Sequence, residues 1–191
     1  MKKYIFSFFL FCVAIQVNAQ YFELTPNGFV NAKDPEMDYV VIDLEGKSQQ
    51  QIFDGVNQSL HTIFVDPKSV LSPVPNDMIT VNAIAEIVAS MNLGAKAEFD
   101  VNYTLVFRFK DGRLRVDAPS LQKMVNYDYK NTPELYLLPP GGFKADGGRF
   151  SFFAKNGKLK NELGKQNLED YFNNLIDSVV NNFSNPKDQD W

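Results

Sequence analysis

The chain has 191 residues, a formal net charge of −4 and a pI of about 5.0, with one cysteine and one histidine. Nucleic-acid binding depends on many clustered cations, so this acidic balance argues against a nucleic-acid partner. A single cysteine and a single histidine also argue against a disulfide framework and against a recognisable zinc site. We expect no metal and no cofactor.

The first nineteen residues have the pattern of a secretory signal peptide. Lys2 and Lys3 supply a positive start, residues 4–17 form a short apolar run, and Val17-Asn18-Ala19 supplies a peptidase recognition site. We expect cleavage after Ala19 and a periplasmic or secreted protein of formal charge 17 − 23 = −6. No later stretch approaches the roughly 18 to 20 apolar residues that a membrane-spanning helix needs, so we expect no span after cleavage.

The mature chain reads as one domain. Residues 20–38 are rich in turn formers and predict an irregular lead-in, residues 39–183 predict the domain itself, and residues 184–191 predict a polar tail. Within the domain, the β-branched run at 39–44 predicts a strand. Ser48 and Gln51 have the spacing of a capping box, which predicts a helix that continues to about Val65.

Two long strands are the clearest prediction. Apolar residues occupy the odd positions from Ile79 to Ala89 and again from Phe99 to Phe109, which is the pattern of a sheet with one face packed on a core. Asp111-Gly112 predicts a two-residue hairpin turn after the second strand. Residues 126–160 predict turns with short strands, the clearest at residues 149–154.

A long amphipathic helix is predicted from residue 168 to residue 183, and its natural place is across the buried face of the sheet. The predicted fold class is therefore α+β: a single domain with a curved, mainly antiparallel sheet, an early helix, and a long C-terminal helix packed on one face.

Several of these features form one ordered pattern. A strand is followed by Gly46-Lys47-Ser48 opening a helix, Phe64 near the end of that helix, two long strands, and the run Lys-Asp-Gly-Arg-Leu-Arg at 110–115. This pattern resembles the domain-of-unknown-function family 4468, exported bacterial proteins with a TBP-like fold, over about residues 38–120. The resemblance implies a curved antiparallel sheet with helices on one side. It implies no activity, since a fold does not carry a function.

The hairpin predicts a cluster of like charges. A two-residue turn places Lys110 opposite Arg113 and Arg108 opposite Arg115, all on the polar face, where like charges opposed across strands are unfavourable. One interpretation is compensation by solvent, by salt, or by acids such as Asp117, Glu169 or Asp170. The other is an anion site built on Arg108, Lys110, Arg113 and Arg115, with the arginine side chains as donors.

Three apolar residues, Ile84, Val88 and Val106, also fall on the polar face of the long strands. Either residues 126–160 cover them, which we favour, or they form an exposed apolar patch that binds a partner.

The leading functional hypothesis is a non-catalytic, exported binding module for a protein partner or an anionic small ligand. One alternative is a hydrolase that acts on envelope or dietary polymers through carboxylates that the sequence does not pair. The other is a structural or assembly subunit that uses the face of Ile84, Val88 and Val106.

Overall fold

Two long strands, β5 (Met78–Ser90) and β6 (Lys96–Lys110), form the centre of the structure, a computed structural model that describes residues 20–91, 94–128, 132–141 and 149–184. They pair antiparallel from Met78 to Ser90, as their alternation predicts. Odd-numbered residues such as Ile79, Leu105 and Phe107 are fully buried. We call this side of β5 and β6 the helix face, and the even-numbered side the open face. The predicted signal peptide and residues 185–191 of the predicted tail lie outside the described residues.

Six shorter strands complete the sheet. They are β3 (Tyr39–Asp43), β4 (Leu71–Val74), β7 (Arg113–Asp117), β8 (Ser120–Val125), β9 (Glu134–Tyr136) and β10 (Arg149–Ser151). The strand order is β10-β9-β8-β6-β5-β4, and β7 pairs with both β6 and β3. Every pair is antiparallel except β9 with β10. The sheet is therefore mainly antiparallel, as predicted.

Both long helices pack on the helix face. These are α1 (Gln49–Ile63) and α3 (Glu162–Ser184), with a one-turn helix α2 (Pro67–Val70) between α1 and β4. Ser48 and Gln51 form the predicted capping box at the start of α1. The ring of Phe53 in α1 lies 5.3 Å from Phe109. The ring of Phe172 in α3 lies 4.9 Å from Tyr103, so the predicted α+β arrangement is confirmed.

The lead-in at residues 20–38 differs from the prediction of irregular chain. It contains a hairpin of β1 (Phe22–Thr25) and β2 (Gly28–Asn31), whose strands pair through a two-residue turn. Phe22 and Leu24 are buried, and the ring of Phe29 packs 5.1 Å from Phe172. The hairpin joins the core of the domain. Pro26 lies in its two-residue turn, and Gly28 is the first residue after that turn.

The part of residues 126–160 that the structure describes does not cover Ile84 in the way we favoured. In the described part of this segment, β9 and β10 continue the sheet beyond β8. Phe150 packs on Phe99 of the helix face at 6.4 Å, and Phe152 is fully buried beside α3. These aromatic side chains therefore complete the core under the helices, and they leave Ile84 exposed on the other side of the sheet.

Candidate functional site

The predicted register of the basic hairpin is confirmed. Lys110 lies opposite Arg113, and Arg108 lies opposite Arg115. Asp117, at the end of β7, lies between the two arginines of the second pair: it accepts from Arg108 Nε at 3.0 Å and from Arg115 Nε at 2.6 Å. The positive charge of the two arginines is therefore partly compensated by Asp117, one of the acids predicted for this role. Glu169 instead pairs with Lys165 at 2.7 Å.

Two further contacts, together with Asp117, hold both guanidinium groups in place on the open face. The Arg115 guanidinium stacks 3.8 Å from the centre of the Tyr39 ring, and Arg108 Nη1 lies 3.7 Å from the sulfur of Met78. Both arginine side chains stay exposed, at 45% and 41% of their area. Since Asp117 binds the two Nε groups and Met78 accepts from Arg108 Nη1, Arg108 Nη2 and the Nη groups of Arg115 are the donors that an incoming acceptor would meet. The hairpin is a preorganised donor site whose charge is partly balanced.

The tip of the hairpin has a structural role. The backbone N–H of Gln49, at the start of α1, donates to Asp111 Oδ1 at 2.8 Å. Gly112 donates to Lys47 O and accepts from Leu44 N, both at 2.8 Å. The Lys-Asp-Gly-Arg and Gly-Lys-Ser runs that carry the family resemblance therefore meet in space, where they join the β6–β7 hairpin to the start of α1.

Ile84, Val88 and Val106 lie on the open face but do not form one patch. Ile84 is 57% exposed, whereas Val88 and Val106 are half-buried. Ile84 lies opposite Asn102, and Val106 lies opposite Thr80, with the Asn82–Thr104 pair between them. Of these three residues, only Ile84 is exposed.

A row of hydrogen-bonded polar side chains crosses the open face beside Ile84. Thr104 Oγ1 donates to Asn82 Oδ1 at 2.7 Å, and Gln122 Nε2 donates to Thr104 Oγ1 at 3.0 Å. The row spans β5, β6 and β8, so its three side chains are held in fixed orientations. Sequence reasoning missed Gln122. Buried and exposed residues do not alternate regularly along β8, and its register against β6 is irregular.

A cleft of about 650 Å³ opens next to this row. Its polar wall contains Asn82, Asn102 and Gln122, and Ile84 lies at its margin. Its apolar wall comes from the turn between α1 and α2, where Val65 is fully exposed and Phe64 and Val70 are half-buried. Sequence reasoning missed this wall too. The signal available was the apolar pair Phe64-Val65 just past the end of the helix.

The open face carries opposite charges at its two ends. The hairpin end has four cations, Arg108, Lys110, Arg113 and Arg115, against Asp117 and Asp43, which lies opposite Arg113. The other end has Glu86 directly opposite Asp100, and Glu98 two positions away, against Lys96. The cleft and Ile84 lie between these two ends. A bound partner would therefore be oriented along the strands by charge.

None of the described helices has the length and apolarity to cross a membrane. Within the same residues, no three acidic, histidine or cysteine side chains lie close enough together to hold a metal ion.

Comparison with known proteins identifies the fold. Residues 39–123 match the family described as a domain of unknown function (DUF4468) with a TBP-like fold. A DUF4468 family protein from Bacteroides ovatus is similar in structure with a TM-score of 0.51 at 20% identity, over 79% of this chain and 87% of that one. A TBP-like protein from Parabacteroides distasonis gives a TM-score of 0.49 at 17% identity, over 75% of this chain and 91% of that one.

No curated protein matches the chain. At 20% identity, the Bacteroides ovatus structure supports the fold alone. The family match and the observed sheet with helices on one face agree with the resemblance drawn from the sequence. Residues 39–123 of this chain match the DUF4468 family, which is described as having a TBP-like fold.

Proposed function

We propose that this chain is an exported, non-catalytic binding module of the cell envelope, and that its open face binds a protein partner. The observation that carries the proposal is the exposure of Ile84, at 57%, on a strand whose other face packs against the core, where Ile84 lines a cleft of about 650 Å³. The core under α1 and α3 is complete without this face.

The chemistry around Ile84 suits a protein surface. Protein interfaces combine a small apolar centre with hydrogen-bonding groups and a polar rim. Here the centre is Ile84 with the apolar wall of the cleft, and the amides of Asn82 and Asn102 supply donors and acceptors beside it. The charges at the two ends of the open face form the rim. This surface favours an elongated partner that carries acidic groups toward the hairpin.

Export rests on the sequence of residues 1–19.

An anionic small ligand is the second candidate, and one observation favours it. Asp117 fixes two exposed guanidinium groups on one face with their Nη donors unblocked by that contact. Against it, Asp117 already cancels one of the two charges. The hydrolase and the structural-subunit hypotheses stay predictions from the sequence.

The test is affinity capture from envelope extract with purified residues 20–191 as bait. Ile84→Asp places a charge in the proposed contact and should reduce recovery of a bound protein at least tenfold. Gln58→Asp is the matched control, because Gln58 is exposed on α1, away from the open face, and it should bind like the unchanged bait. Equal recovery by both variants, or recovery of nothing by any bait, contradicts the proposal.

The ligand candidate has its own readout. A thermal-shift series with phosphate, acidic sugars and carboxylates should show a rise in Tm that disappears in the double variant Arg108→Glu, Arg115→Glu. A ligand present at about 100 times its Kd adds about 2.7 kcal/mol to the free energy of unfolding, which is readily detected. If the rise in Tm persists in the double variant, the ligand binds elsewhere on the protein.

A further inference from the structure

Cleavage after Ala19 would make Gln20 the first residue of the mature protein. This inference rests on the proposed export. A glutamine at a chain terminus differs from one inside a chain, since its free α-amine can reach its own side-chain amide and close a five-membered ring. The structure shows whether that side chain is free to move.

Gln20 is exposed, and the chain becomes fixed at the very next residue. The backbone N–H groups of Tyr21 and Phe22 both donate to Asn173 Oδ1, at 2.9 and 3.0 Å, and Asn173 Nδ2 donates back to Phe22 O at 3.2 Å. Phe22 is fully buried in the core. The mature terminus would therefore be one exposed residue that precedes a hydrogen-bonded, buried strand.

We propose that Gln20 cyclises to pyroglutamate once the signal peptide is removed. The α-amino nitrogen attacks the side-chain carbonyl carbon Cδ and forms the lactam C–N bond. The bond from Cδ to Nε2 breaks, and Nε2 leaves as ammonia with a proton from the attacking amine. No oxidant, metal or second substrate takes part.

Ring closure is compatible with every contact around it. The peptide bond between Gln20 and Tyr21 is unchanged, so the N–H of Tyr21 still donates to Asn173. The hydrogen bond of the Tyr21 hydroxyl with Asp177, at 2.8 Å, lies on the side chain of the next residue and is also kept. Cyclisation thus changes the terminus and leaves the fold intact.

The product has a chemical consequence for an exported protein. The lactam has no primary amine, so the positive charge of the terminus is lost. Aminopeptidases bind a free α-amine, and they would therefore not cleave this terminus. Exposed termini are otherwise where proteolysis concentrates. Pyroglutamate at residue 20 would protect the strand that ties the hairpin of β1 and β2 to α3.

Intact-mass analysis and N-terminal sequencing of the exported protein test this inference. The expected mass is that of residues 20–191 minus one ammonia, with no residue released by sequencing until pyroglutamate aminopeptidase is added. Gln20→Asn is the matched control, since its amide is one methylene shorter and would have to form a strained four-membered ring. That variant should keep its ammonia and should sequence normally from residue 20.

Three outcomes would overturn the inference, and they separate it from the proposed export. A linear Gln20 with a free amine in the exported protein refutes cyclisation and leaves export standing. A mature chain that begins at another residue refutes the cleavage position and, with it, the ring. A chain that retains Lys2 and Lys3 refutes export and cyclisation together.

Discussion

Two buried asparagines join elements that no strand ladder connects. Asn161 Oδ1 accepts from Ser90 N at 3.0 Å and from Gly164 N at 3.1 Å, and its Nδ2 donates to Ser90 O at 3.0 Å. It caps α3 and completes the edge of β5 with one side chain. Asn173, in the middle of α3, completes the edge of β1 through the backbone of Tyr21 and Phe22. Sequence reasoning identified neither residue: Asn161 lies before the predicted helix of residues 168–183, and Asn173 is one of the polar residues within it.

Asn173→Ala should destabilise the protein strongly. The substitution leaves the N–H of Phe22, its carbonyl and the N–H of Tyr21 without partners, two of them fully enclosed. Each unsatisfied buried group costs about 1 to 3 kcal/mol, so we expect a loss of about 2 to 4 kcal/mol in urea unfolding. Asn182→Ala, at an exposed position of the same helix, should change the free energy of unfolding by less than about 0.5 kcal/mol.

A tyrosine pair under α3 predicts a loss of stability in alkali. The hydroxyls of Tyr103 and Tyr171 lie 2.9 Å apart. Burial raises the pKa of Tyr103 well above its ordinary value of 10.0, with Tyr171 adding to the shift, and burial also raises the pKa of Tyr171. In the unfolded chain both hydroxyls titrate near the ordinary value. The contribution of the two tyrosines to the free energy of unfolding is therefore complete below pH 10, and it is lost progressively as the pH rises above that value.

Urea unfolding at about pH 8 and about pH 11 measures this loss, since the ordinary tyrosine pKa lies between these values. The free energy of unfolding should fall over that interval, and Tyr103→Phe should make the fall shallower. If phenolate absorbance shows every tyrosine of the folded protein ionising near pH 10, the burial argument is wrong.

At the scale of elements, the length of each strand decided whether the sequence could predict it. β5 and β6 run for 13 and 15 residues, long enough for alternation to be unmistakable, and the capping box located the start of α1. β1, β2, β4 and β9 have three or four residues each, too few for a period-two pattern to stand out. β4 also contains Pro73, which an edge strand tolerates because no ladder bond is lost on its outer side.

Gly164 allows α3 to approach β5 closely. A Cβ atom there would lie 3.0 Å from Ala89 Cβ, 3.0 Å from Phe152 Cε1 and 3.1 Å from Asn161 Oδ1. The small side chain of Ala89 and the absence of one at Gly164 therefore together allow this close approach. The position explains why a poor helix former lies in the first turn of α3.

Gly164→Ala should lower stability although alanine favours helices. The propensity gain is about 1 kcal/mol, whereas overpacking in a core costs about 1 to 3 kcal/mol and here also disturbs the Asn161 cap. We expect a net loss of about 1 to 2 kcal/mol in urea unfolding. At Gly141 a Cβ meets nothing within 4 Å, so Gly141→Ala should be nearly neutral. A stabilised Gly164→Ala protein would show that the helix has room to shift.

At the scale of the whole molecule, the sheet has one face that belongs to the core and one that is left for other contacts. Alternation along β5 and β6 predicted this division, and the hairpin register placed four cations on the open face. The cleft could not be predicted, since it needs the α1–α2 turn, β5, β6 and β8 to meet in space. Asp117 was one of three acids predicted to compensate the hairpin cations, but the sequence could not tell which of the three binds Arg108 and Arg115.

Site-specific photocrosslinking in the intact envelope tests the central claim most directly. A photoreactive amino acid replaces Ile84 on the open face, and in a parallel protein it replaces Gln58 on α1. We predict a light-dependent protein adduct at residue 84 and none at residue 58. The absence of an adduct at residue 84, or equal adducts at both positions, would contradict the claim that the open face is the partner-binding surface.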